Sequence, residues 1–218
     1  MDRDDSWRVI AAHRLALADL LAPLTDAEWD TPSLCAGWRV RDVAAHVALA
    51  PQPPGLGAML ADAVRARGSF HRLNHDISVR HAAARTGAQL VAELRAHASS
   101  RRLPAVTNYR NILFDLLVHA QDMAVPLGRE LPMPRDGALA AASRVWGMGW
   151  PFWARRRLRG MRLVATDVDW SAGAGAEIRG PIDALLLLLT GRTEAVVHRL
   201  SGPGVAALSA GPTRGRPV

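Results

Sequence analysis

The 218-residue chain is 49% hydrophobic and 22% charged, which gives it material for one sizeable domain or for a larger and a smaller one. Its formal charge of +7 is carried by arginine, as the chain contains no lysine; that excess favours anionic partners such as carboxylate substrates. With aromatic residues at 5% and no basic stripe interleaved with them, nucleic acid is not expected. The chain opens without a signal-like segment, its longest apolar run (184–189) is too short to cross a bilayer, and a single cysteine, Cys35, excludes an internal disulfide, so a cytoplasmic protein without a membrane span is expected.

Ser6 is a candidate cap for a helix running to about residue 22, with Val9, Ile10, His13, Leu17, Leu20 and Leu21 at helical spacing. Thr25-Asp-Ala-Glu28 has the form of a capping box and opens a short helix. Residues 30–38 (DTPSLCAGW) read as a loop that delivers the chain into a helix over 40–49. There Val43, His46 and Val47 share a face, which points the histidine inward. Residues 51–57 break the pattern. Helices are then expected at 56–67, at 70–84 with His71, His75 and His81, and from a cap at Thr86–Gln89 to residue 98.

Pro104 precedes a further helix over 111–122, which Pro126 and Gly128 end. Pro134 is placed to open a long helix through Trp146 toward Arg159, bent or split at Pro151. On that helix Trp146, Trp150 and Trp153 would share one face, as core or domain-seam residues, and Arg155–Arg157 with Arg159 would form a solvated helix end.

Beyond Gly160 the character changes. Residues 161–166 and 177–179 read as short strands joined by a glycine-rich turn at 171–175; Pro181 opens a strongly apolar helix, and a short helix and a last strand at 204–208 follow. The expected organisation is a helical domain over 1–158, a small α+β domain over 159–210 and a disordered tail over 211–218, with no internal repeat.

The chemistry concentrates in Asn111–Asp122, an apolar helix interrupted by Asp115, His119 and Asp122. Asp115 and His119 are four residues apart and lie on one face. Beside Leu116, Leu117 and Val118 they are costly unless paired, and a divalent metal completed by His46 from the 40–49 helix would pair them. The bland alternatives are a core or cleft role for His46 and a surface ion pair for Asp115 and His119. His71 and His75 share the same spacing, but their segment is polar on most sides and reads as surface or cleft. Cys35 is open to two readings, a nucleophile near the cleft and, as it has no base beside it in sequence, a small buried loop residue. Asp122 fits equally a second layer behind a ligating histidine and an exposed helix contact.

Four stretches, in their order and spacing, carry a family resemblance: Trp29–Trp38, Val40–His46, Asp115–Asp122 with Pro126-Leu-Gly128, and Arg179-Gly-Pro with Leu188-Leu-Thr-Gly-Arg192. The chain resembles the mycothiol-dependent maleylpyruvate isomerase family, part of the wider DinB-like metalloenzyme group. The resemblance implies a mainly α fold, a DinB-like four-helix bundle followed by a small α+β C-terminal domain. It also implies a divalent metal, usually zinc, held by His46, Asp115 and His119, with Asp115 standing where the isomerase has a glutamate. Arg192 matches the arginine that the family brings to its active site from the C-terminal domain.

Three protein ligands leave a coordination position open, as in catalytic sites, and two histidines with a carboxylate also suit iron or nickel. A thiol entering that position loses its proton and becomes a nucleophile toward an electrophilic carbon, while Arg192 pairs with a substrate carboxylate. The expected function is a metal-dependent isomerase or S-transferase using mycothiol or a similar low-molecular-weight thiol, as a possible homodimer. Two alternatives stay open: a hydrolase using bound hydroxide, and a non-catalytic ligand-binding bundle with a vestigial site.

Overall fold

Asp2, not Ser6, caps the first helix, α1 (Arg3–Leu21). Its carboxylate accepts the Asp5 N–H at 2.7 Å, and Asp4 and Asp5 occupy the first turn, where the helix dipole favours anions. Ser6, one turn in, donates its hydroxyl back to the Asp2 carbonyl. The computed structural model describes residues 1–52, 69–104 and 107–210. The helix expected at 56–67 and the tail at 211–218 lie outside them.

The Thr25–Glu28 capping box forms as expected and opens α2 (Asp26–Trp29). The helix α3 (Val40–Leu49) starts from Arg39, whose backbone N–H and guanidinium both reach the Asp42 carboxylate. Next come α4 (Phe70–Ala83) and α5 (Gly87–Ala96), the latter opened by a Thr86/Gln89 capping box. The Asn108 side chain accepts the N–H groups of Arg110 and Asn111 to start α6 (Tyr109–Ala124).

Two compact units result, Asp2–Leu131 and Pro132–Val218. In the first, α1 and α3 each pack against both α5 and α6, which makes the four-helix bundle, and α4 lies against α3. Ile10, Leu17 and Leu21 from α1, Val40 and Val43 from α3, Leu90 and Leu94 from α5, and Leu113 and Leu117 from α6 fill its core. Buried Arg14 donates through Nη1 to the carbonyls of His97, Ala98 and Ser100 beyond the end of α5, and burial lowers its pKa to about 10.

In the second unit, α7 (Arg135–Gly147) is followed by irregular residues with a cis Trp150–Pro151 bond, then by α8 (Ala154–Arg157). Three strands follow: β1 (Met161–Ala165), β2 (Ser171–Gly173) and β3 (Ala176–Gly180). Their order is β2-β1-β3, with β1 antiparallel to β2 (Arg162↔Gly173) and parallel to β3 (Leu163↔Ile178). The chain continues through α9 (Ile182–Leu189), the short α10 (Thr193–Val196) and α11 (Val205–Ala210). Because α9 packs on α7 as well as on β1, the compact units divide after Leu131, whereas the sequence placed a boundary near 158.

Three further expectations change. The long helix toward Arg159 stops at Gly147, so the three tryptophans do not share a face, and Trp150 and Trp153 are 50% and 51% exposed rather than core. Arg155, Arg156 and Arg159 are exposed, as expected, with Arg155 over the Trp146 ring at 5.7 Å, whereas the Arg157 guanidinium donates to the Leu188 carbonyl at 2.8 Å and burial lowers its pKa. The residues read as a turn at 171–175 include β2, and the last strand is instead α11. Among the described residues no helix is long and apolar enough to cross a membrane.

Candidate metal centre

The centre is built by two neighbouring helices of the bundle. On α3, Val43, Ala44 and Val47 are buried, and His46 is carried beside them toward α6. On α6, Leu113, Leu116, Leu117 and Ala120 fill the core, leaving Asp115 and His119, one turn apart, on a half-buried face. His46 Nε2 lies 3.3 Å from Asp115 Oδ2, and His119 Nε2 lies 3.4 Å from Asp115 Oδ1. The two imidazoles meet edge to face, with centroids 5.0 Å apart. Sequence reasoning selected these three residues, and the fold brings them together.

Asp122 stands behind His119. Its Oδ2 is 2.9 Å from His119 Nδ1, and its side chain is fully buried. A carboxylate only accepts, so Nδ1 carries the proton and Nε2 is aimed at Asp115 and His46. Of the two roles open to Asp122, the structure shows the buried one.

The electrostatics match. Burial opposes protonation of His119, but Asp115, then Cys35 and Asp122, outweigh it and hold its pKa well above the ordinary histidine value. Burial likewise opposes ionisation of Asp115, and His119 and His46 outweigh it, keeping the carboxyl far below its usual range. Asp115 is therefore anionic, and a proton on His119 occupies the role that a cation would take.

Cys35 is the residue that sequence reasoning missed. Ser33 Oγ accepts the Cys35 N–H at 3.1 Å and donates to the Trp38 carbonyl at 2.9 Å, and the Leu34 N–H bonds the Asp122 carbonyl at 3.0 Å. This ties the loop over 30–38 to the end of α6. It sets Cys35 Sγ 3.0 Å from Asp122 Oδ2 and 3.6 Å from His119 Nδ1. Trp38, from the same loop, presents its ring edgewise to His46 at 5.8 Å and to His75 at 5.5 Å.

Neither His71 nor His75 joins a ligand cluster among the described residues; His75 Nδ1 meets Asp76 at 3.1 Å. Arg192 belongs to the second unit. It stands at the N-terminus of α10 after Gly191 (φ 93°), is 8% exposed, and donates through Nη1 to the Thr190 carbonyl at 2.7 Å.

Residues 10–108 match the family model for the mycothiol maleylpyruvate isomerase N-terminal domain. The match takes in the loop over 30–38 and His46 and ends before Asp115 and His119. Over the whole chain, two crystal structures are similar: that of the mycothiol-dependent maleylpyruvate isomerase, at 14% identity, and that of its histidine-to-alanine mutant, at 13%. Each has a TM-score of 0.62 with 93% of both chains covered, which identifies the fold as a DinB-like helical bundle followed by a small α+β domain. No curated protein sequence matches. The resemblance carried by the motifs is thus the one that these comparisons find.

Proposed function

We propose that the chain is a divalent-cation-dependent enzyme of the maleylpyruvate isomerase type. It uses mycothiol or a similar low-molecular-weight thiol to isomerise, or transfer the thiol to, a small electrophilic substrate that bears a carboxylate. The observation that carries this reading is the convergence of His46, Asp115 and His119 with the buried Asp122 carboxylate behind His119.

The donor set fits a divalent cation. Two imidazole nitrogens lie 3.3 and 3.4 Å from the two oxygens of one anionic carboxylate, about the separation of neighbouring ligands around one ion with bonds of about 2.1 Å. His46, Asp115 and His119 would hold it; zinc suits the set best, and iron or nickel also fits. When bound, the ion supplies a Lewis acid with an open position, which lowers the pKa of an entering thiol. The chain's own residues do the rest. Asp122 holds the Nδ1 proton of His119 and so fixes which nitrogen faces the ion. Trp38 packs on His46 and restricts its rotation. Arg192 is the residue that the family resemblance assigns as carboxylate partner.

Metal stoichiometry by inductively coupled plasma mass spectrometry, on protein purified without chelator, tests the reading. The parent is expected to hold about one equivalent, lost in His119→Ala. Turnover of activated alkenes bearing a carboxylate is expected only with added thiol. Folded protein that takes up no zinc, iron or nickel overturns the proposal, and turnover independent of thiol redirects it to a hydrolase.

A further inference from the structure

The geometry points to a second cation seat on the opposite edge of the same imidazole, formed by Cys35 Sγ, Asp122 Oδ2 and His119 Nδ1 and suited to a thiophilic divalent ion of the zinc or cadmium class. The three atoms lie 3.0, 3.6 and 2.9 Å apart. Ligands on one tetrahedral zinc, with bonds of about 2.0–2.3 Å, stand about 3.3–3.7 Å from one another, so shifts of a few tenths of an ångström close the seat. The loop hydrogen bonds from Cys35 N–H to Ser33 and from Leu34 N–H to the Asp122 carbonyl hold the sulfur on that edge.

The two seats differ in charge and softness. His46, Asp115 and His119 offer one negative charge and no sulfur, so a divalent ion there keeps a net positive charge and accepts an anionic ligand. Cys35 and Asp122 offer a thiolate and a carboxylate, which neutralise a divalent ion beside a fully buried carboxylate. As the cation binds, the Cys35 thiol proton and the His119 Nδ1 proton both leave to solvent, and Nε2 keeps its proton toward Asp115.

The seats are also mutually exclusive. A neutral imidazole has one lone pair, so His119 gives Nε2 to the first seat or Nδ1 to the second. A thiophilic ion on the Cys35 side therefore withdraws a ligand from the first seat. Only this exclusion rests on the function proposed above; the second seat rests on its own three residues.

Cobalt(II) added to metal-free protein tests the inference, because sulfur ligation gives a charge-transfer band in the near ultraviolet. His46→Ala, which disables the first seat alone, is expected to bind one equivalent of cobalt with that band, and the same variant carrying Cys35→Ser to lose it. Parent protein preloaded with one equivalent of zinc is expected to show no band until the zinc is removed. In His46→Ala, cadmium is expected to slow alkylation of Cys35, the chain's only thiol, about tenfold; this measurement stands even where the double variant does not fold. No band and no protection in His46→Ala overturn the second seat. A full band over retained zinc overturns the exclusion. Cobalt bound by His46→Ala but not by Cys35→Ser upholds the second seat and defeats the first.

Discussion

The helices α6 and α9 are both apolar, yet they do opposite work. In α9 every residue from Ile182 to Leu189 is buried except Asp183, and the whole circumference serves packing. In α6 the apolar stripe is interrupted at Asp115, His119 and Asp122, and each interruption meets a partner from α6 itself, from α3 or from the loop over 30–38. The contrast teaches that the informative positions are the polar ones a helix tolerates inside an apolar pattern, since each has to be paired. A second contrast lies within the bundle. His13 on α1 is 3% exposed with its Nε2 unpartnered among the described residues, and burial lowers its pKa to about 4, whereas His119 has carboxylates on both edges and shifts the other way.

The largest effect that sharpens the first contrast is His119→Ala, which is expected to abolish metal uptake at the α6 face as read by stoichiometry while circular dichroism stays that of a helical bundle. In α9, Leu186→Ala is expected to cost about 2–5 kcal/mol of stability by cavity formation, measured by urea unfolding. A loss below about 1 kcal/mol would mean that α9 is less tightly packed than its burial implies.

Acid tests the histidine contrast. Unfolded histidine takes its proton near 6.5 and folded His13 only near 4, so the unfolded state binds the extra proton between those values. Stability is then full above about pH 6.5 and falls by about 3 kcal/mol from this group as pH drops to 4. His13→Gln is expected to flatten that slope in urea titrations. His119 also makes metal affinity pH-dependent: its raised pKa means that a cation displaces a proton, so affinity falls with falling pH. The smallest expected effect is that of Asp122→Asn, which keeps shape but lets an amide donate toward Nδ1; metal affinity is expected to drop about 10–100-fold by calorimetry. An unchanged affinity would show that His119 needs no support from behind.

Much of this was legible in the sequence for physical reasons. Periodicity and capping chemistry located α2, α3, α5 and α6, and the four-residue spacing of Asp115 and His119 marked the ligand face. Cys35 was not legible, because its contacts with His119 and Asp122 span more than 80 residues of chain. The tryptophan stretch misled because helical spacing counts only while the helix lasts, and Gly147, Gly149 and Pro151 end it. The short apolar run at 204–208 carries no period that separates strand from helix, and it forms α11.

The small sheet also leaves little free edge for another chain to pair with. Arg179 and Ser201 exchange both backbone hydrogen bonds at 2.8 Å, and Gly204 N–H bonds the Glu177 carbonyl at 2.9 Å, so the outer rim of β3 is already occupied. The other rim, β2, is three residues long and ends at Gly173 in the left-handed region. With one rim occupied and the other so short, the sheet offers a poor template for the edge-to-edge growth that seeds aggregation.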